Sequence, residues 1–252
     1  MKMMQTFRDI DIFLNDGTKK INATNTFIYV EGEYGFIPLI CGKAVEAKGY
    51  EIGEMASRYQ NVESFNRFPK PNLPTWRITQ VNEDTVFIAI TNWFPNSDGQ
   101  GEPNPTLWSN SYPAMKSLLT WLQQNGCKKV TTLTSMNILD AEQNPSVHVH
   151  ESHHGWQSKY DEDHESYLAL PAWSFPWLAD KMGMYGRCVV TSQDEGQFID
   201  YDALAKTQIW LALQGIEWDT DVMGATIKML NSVETELSSQ GFDEDGSMGE
   251  FQ

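Results

Sequence analysis

Long apolar runs are absent from this chain. No stretch of its 252 residues approaches the roughly 18 consecutive apolar residues that a membrane-crossing helix needs. The segment Met1–Asp16 mixes Lys2, Arg8, Asp9 and Asp11 with its apolar residues, which does not read as a secretory leader. The expected location is the cytoplasm. Basic residues are also scarce: 18 Lys and Arg stand against 34 Asp and Glu, for a net charge of -16. Such a surface repels nucleic-acid phosphates and anionic lipid headgroups, so the sequence predicts no nucleic-acid and no membrane partner. Cysteines number only three, Cys41, Cys127 and Cys188, with no CxxC pair. An odd count without paired spacing implies neither a disulfide framework nor a zinc ribbon, and it predicts buried thiols in a reducing compartment. The sequence holds no GxSxG elbow, no full GxGxxG, no phosphate-loop lysine and no HExxH.

What is present suffices for a packed core. Hydrophobic residues make up 40% of the chain and aromatics 12%, so disorder throughout is excluded. Strands are predicted at Thr26–Val30, Glu51–Ala56, Trp76–Val81, Thr85–Thr91, Lys129–Thr134, Tyr167–Leu170 and Arg187–Ser192. Helices are predicted at Ile37–Lys48, Ser111–Gln124, Ala172–Met184, Asp200–Leu213 and Asp219–Leu237. In the first helix Pro38 fits the opening turn and Gly49 the stop. In the last, Val222, Ala225, Ile227, Leu230, Val233 and Leu237 are the expected apolar stripe. The run VFIAIT lacks polar alternation, as a strand buried on both faces should. Strand–loop–helix–strand from Thr26 to Ala56 reads as the building block of a parallel sheet. The proline-rich stretch Asn61–Pro74 and the stretch Asn92–Asn110 read as loops. Alternation of this kind argues for an α/β domain with a mostly parallel central sheet. A single domain over 1–239 is expected, with a His-rich insertion at about 140–166 and a flexible acidic tail over 240–252.

The insertion carries the sharpest local signal. His148, His150, His153 and His154 lie in the run HVHESHH, His164 follows, and Glu151, Asp161, Glu162, Asp163 and Glu165 are neighbours. Imidazoles and carboxylates are what zinc, nickel or copper prefer, although the spacing fits no standard template. The competing reading is a polar loop whose histidines bond to nearby acids. Gly32-Glu33-Tyr34-Gly35 sits between a strand and a helix, but Glu33 opposes a phosphate there. Ser135, Thr191 and Ser192 fall at strand ends, with Asp194 and Glu195 beside the last two, where α/β sites commonly lie. Aromatics gather in two groups: Trp93, Phe94 and Trp108, then Trp156, Tyr160, Trp173, Phe175 and Trp177. They suit either a protein interface or packing beneath loops. The tail ends on Phe251 and Gln252, an aromatic anchor and a terminal carboxylate that a partner pocket can hold.

Four segments carry a family resemblance. FIYVEGEYGFIPLICGKAVEAKGYEIGEMAS, RFPKPNLPTWRI, SLLTWLQQNGCKKVTTLTSM and RCVVTSQDEGQFIDYDALAKTQIWLALQGIEWDTD together cover most of residues 26–237. Their order and character resemble the proteasome assembly chaperone family, in its archaeal and bacterial branch. The resemblance implies a three-layer α/β/α fold like that of phosphorylase/hydrolase-like proteins, homo- or hetero-oligomers, and no established catalytic activity. It implies a protein partner, with proteasome α-subunits as the candidate, and no cofactor. Two departures stand out. The family's glycines are missing after Ser135-Met136-Asn137, and Glu250-Phe251-Gln252 replaces a hydrophobic-Tyr-any ending. The sequence therefore points first to a non-enzymatic oligomeric binding protein. Its alternative is a metal-dependent hydrolase-like enzyme, or a metal-binding protein, using the His148–His164 cluster.

Overall fold

The computed structural model describes residues 3–6, 10–17, 21–30, 36–57, 76–90, 105–137, 147–151, 171–193 and 198–239. Among these residues nine strands form one sheet in the order β1-β2-β4-β5-β6-β3-β7-β9-β8. They are β1 (Met3–Thr6), β2 (Ile10–Leu14), β3 (Asn25–Val30), β4 (Tyr50–Ser57), β5 (Trp76–Gln80), β6 (Thr85–Ile90), β7 (Lys129–Asn137), β8 (Val147–Glu151) and β9 (Tyr185–Gln193). Five helices accompany them: α1 (Ile37–Lys48), α2 (Pro105–Gln124), α3 (Pro171–Lys181), α4 (Tyr201–Leu213) and α5 (Thr220–Ser239). Among the described residues no helix is long and apolar enough to cross a membrane.

The sheet is mixed, which corrects the expectation of a mostly parallel one. Only the central block β6-β3-β7-β9 pairs in parallel. The flank β1-β2-β4-β5 and its join to β6 are antiparallel, as is the edge strand β8 on β9. The unit β3-α1-β4 keeps the expected element order, but β4 does not pair with β3. Two strands, β5 and β6, stand between them.

Strand periodicity sorts the core into two halves. Ile28, Val86, Ile88, Val130, Cys188 and Val190 pack with Leu118, Leu119, Trp121 and Leu122 of α2 and with Phe175 and Leu178 of α3. Phe27, Tyr29, Phe87, Leu133 and Val189, one residue out of phase, pack with Ile40 and Val45 of α1, Leu204 and Leu211 of α4, and Leu230 of α5. Helices thus cover both faces. Each large apolar side chain fully buried this way contributes about 1.5–3 kcal/mol.

Several local expectations change. The run IDIFL of β2 buries Ile10, Ile12 and Leu14 while Asp11 and Phe13 are half-buried, a period-2 strand in a segment for which the sequence predicts no element. Trp121 Nε1 donates to Gln5 Oε1 at 2.9 Å, tying β1 to α2. The expected loop Asn92–Asn110 gives way to helix from Pro105, so Ser111, the predicted helix start, lies inside α2. Part of the expected insertion is strand β8. The predicted strand Tyr167–Leu170 lies outside the described residues. In α5 the buried positions are Met223, Thr226 and Leu230, whereas Ala225 and Val233 are exposed.

Backbone proximity explains two glycines. A Cβ on Gly186 of β9 would overlap the backbone of Pro176, so α3 lies directly on the sheet there. A Cβ on Gly42 of α1 would approach the Tyr29 ring to 3.3 Å, which sets how closely α1 settles over β3. Asp200 starts α4 with its carboxylate accepting from the Ala203 N–H at 2.9 Å. The backbone N–H of Asp219 donates to the Ala44 carbonyl at 2.9 Å and locks the start of α5 to α1.

Candidate functional site

The carboxyl ends of the parallel strands are the usual location for chemistry in such sheets. Ser135 and Thr191 are register partners there, on β7 and β9. Both are buried. The Thr207 hydroxyl donates to the Ala203 carbonyl at 2.8 Å, so the 2.8 Å contact between Thr191 and Thr207 has Thr191 as donor. That hydroxyl pins β9 to α4 and is committed to structure. Ser192 belongs to β9, while Asp194 and Glu195 lie outside the described residues. The acids of this candidate site therefore fall outside the described residues.

One residue the sequence reading missed is Arg187, buried in β9. Its Nε donates to Thr131 Oγ1 and its Nη2 to Gln214 Oε1, both at 2.8 Å. The guanidinium lies 5.1 Å from the centre of the Trp210 ring. This arrangement joins β7, β9 and the end of α4.

His148 and His150 fall in β8, at register positions opposite Val190 and Cys188. His153, His154 and His164 lie outside the described residues, as do Phe251, Gln252 and the Gly32–Gly35 turn. Among the described residues no group of three or more His, Cys, Asp or Glu side chains is placed to hold a metal. The cysteines are as expected, all buried and free. Burial pushes the Cys41 and Cys188 thiols up to about 12, with a hydrogen bond from Thr132 opposing the rise at Cys188. Burial also raises Cys127. None of the three is a thiolate at neutral pH. Of the aromatic groups, Phe175 is core, Trp177 is exposed beneath Lys181, and Trp108 and Trp173 lie in α2 and α3. Trp93, Phe94, Trp156 and Tyr160 lie outside the described residues.

Two surfaces emerge that no sequence motif announces. The first is the outward side of α4. Tyr201, Ala205, Ile209 and Leu213 recur every fourth residue and are all exposed, Ile209 to 61% and Leu213 to 77%. Met229 and Val233 of α5 are exposed as well, and Asn231 of α5 donates to the Tyr201 hydroxyl at 3.2 Å. The signal was in the sequence: TQIWLAL is apolar almost all round, more than one buried face requires.

The second is a cleft of about 190 Å³ on the α1 side of the sheet, lined by Tyr29, Leu39, Lys43, Glu46, Trp76, Arg77 and Ala89. Lys43 and Glu46 sit one turn apart on α1, and Arg77 and Ala89 come from the paired strands β5 and β6. Burial pushes Glu46 up to about 7, Arg77 opposes that rise, Glu51 adds to it, and Lys43 opposes it. Arg77 Nε stands 3.7 Å from Glu51 Oε2, with side chains 64% and 40% exposed.

No protein-family model matches the chain, and no curated protein matches it. Solved structures do. Pyrococcus furiosus PbaB, an archaeal proteasome activator, superposes with a TM-score of 0.62 at 12% identity, over 92% of this chain and 100% of its own. The chain has the fold of PbaB. Pyrococcus furiosus PbaA, an archaeal homologue of proteasome-assembly chaperone, matches with a TM-score of 0.58 at 15% identity, over 92% of this chain and 93% of its own. A proteasome-assembly chaperone homologue of Mycobacterium tuberculosis matches at 0.53 and 13%, over 88% of this chain and 97% of its own. At these identities the likeness is one of fold. It agrees with the family resemblance carried by the four sequence segments, and it extends over nearly the whole chain.

Proposed function

We propose that this chain is a non-enzymatic binding protein acting in the assembly or activation of the proteasome. The carrying observation is the PbaB match over nearly the whole of both chains. A fold does not dictate a function, so the reading also draws on surface chemistry. Tyr201, Ile209 and Leu213 on one side of α4, with Met229 and Val233 on α5, expose large apolar side chains of the kind a protein partner covers. The partner we propose is a proteasome α-subunit, the working form a homo-oligomer, and the setting the cytoplasm. The tail residues Phe251 and Gln252 are the proposed anchor. The metal-enzyme alternative on His148, His150, His153 and His154 draws no support from the described residues.

Affinity purification from the native cells tests this. Full-length chain, a version ending at Gln240, and an Ile209→Asp, Leu213→Asp variant are compared, with bound proteins and metals identified together. Recovery of proteasome α-subunits by the full-length chain, and their loss with the α4 variant, is expected. Loss with the truncated version assigns the anchor to the tail. Well-folded protein that recovers no proteasome subunit and carries stoichiometric zinc, nickel or copper overturns the reading.

A further inference from the structure

The cleft beside α1 belongs to neither proposed protein-binding feature. Its volume of about 190 Å³ suits one small ligand or one terminal residue. Leu39, Ala89 and Tyr29 supply apolar lining, and Lys43 and Arg77 supply two cations. We propose that this cleft binds the carboxylate of a small amphipathic acid, gripped by Lys43 and Arg77, with its apolar body against Leu39, Ala89 and Tyr29.

Arg77 is free to turn to such a ligand. Its contact with Glu51 is long and solvated, a pairing that contributes little. Its guanidinium fork matches a carboxylate with two parallel hydrogen bonds. A cationic ligand would meet Lys43 and Arg77 and be repelled.

Glu46 gives the site a proton-linked signature. The groups facing it are Lys43 on its own helix, Arg77 from β5, Glu51 from β4, and Tyr29 from β3 across the cleft. Burial holds its acid form to about pH 7. As an acid it donates its O–H to the bound carboxylate. Once ionised it opposes the ligand. Binding of the acid therefore takes up a proton at neutral pH, and affinity falls as pH rises through about 7.

Calorimetric titration of the full chain with 3-phenylpropionate tests the proposal. Affinity about tenfold weaker at about pH 8 than at about pH 6 is expected, because the protonated fraction of Glu46 falls by that factor. Glu46→Gln should bind at both pH values with the pH dependence gone. Lys43→Ala and Arg77→Ala, at exposed positions, should each weaken binding at least about fivefold without loss of fold. An acetylated tripeptide ending in leucine separates the sources. Tighter binding of the tripeptide assigns the site to a chain terminus, and binding of 3-phenylpropionate alone assigns it to a free organic acid. No binding of either carboxylate at millimolar concentration overturns the proposal. So does phenethylamine binding in their place, or affinity indifferent to both Lys43→Ala and Arg77→Ala.

Discussion

The same substitution, glycine to alanine, should have opposite effects at two positions of this chain. At Gly186 a Cβ would lie 2.6 Å from the carbonyl carbon and 2.9 Å from the Cα of Pro176, with its oxygen nearer still. These are backbone atoms, so no rotamer change relieves the overlap. Helix α3 must lift off β9, and Phe175, Leu178 and Ala179 lose contact with the sheet together. Overpacking a close-packed core costs about 1–3 kcal/mol, and the immovable neighbour puts this case near about 3. At Gly224 of α5, an exposed helical position, nothing lies within 4 Å of the new Cβ. There alanine removes backbone entropy from the unfolded chain and should stabilise by about 0.5–1 kcal/mol. For a domain of this size about 3 kcal/mol corresponds to a fall of roughly 6–12 °C in Tm, and the gain at Gly224 to a rise of roughly 1–4 °C. Thermal and urea unfolding followed by circular dichroism read both. A loss below about 1 kcal/mol at Gly186, or effects of the same sign at the two positions, would refute the reasoning.

The thiols give a pH prediction. Cys41 and Cys188 are held up to about 12 by burial, so both are neutral in the folded protein over the ordinary range. The unfolded chain ionises them from about 9, so stability is intact below that pH. It should fall between about 9 and 12 by about 1.4 kcal/mol per pH unit for each thiol. Denaturant titrations of wild type and a Cys41→Ala, Cys188→Ala variant read the difference in slope, and a thiol reagent should label none of the three cysteines until the chain unfolds. Arg187→Ala should cost about 2–4 kcal/mol, because Thr131 and Gln214 lose a donor and Trp210 loses a packed stem. Arg187→Met, which keeps the stem over Trp210, should fall between the two in urea denaturation.

Local pattern explains what was legible. VFIAI read correctly as a buried strand and KVTTLT as a strand, and α1 and α4 keep their predicted bounds to within a residue, because composition, Pro38, Gly49 and Asp200 mark them. Pairing direction was hidden because partners are far apart: Asn25 bonds to Asp84, 59 positions on. Helix α2 was read short because Gly99, Gly101, Pro103 and Pro105 give the stretch before Ser111 the character of a loop. Strand β8 was hidden because its alternation of valine with histidine invited a ligand reading. The cleft was unreadable for a different reason. Tyr29, Glu46, Arg77 and Ala89 come from four elements, and no spacing rule links them.

The central place of β3 has a consequence for how the chain is made. Its neighbours β6 and β7 are both synthesised later, and Thr26 finds its contact with Cys127 only 101 residues on. At ribosomal rates of about 5–20 residues per second, the edge that takes β6 waits roughly 3–12 s and the edge that takes β7 roughly 5–20 s. Non-local pairing of this order slows folding and exposes strand edges to other chains. During its own synthesis this protein is therefore most at risk of aggregation before β7 emerges, and a pause just after Lys128 would lengthen that window.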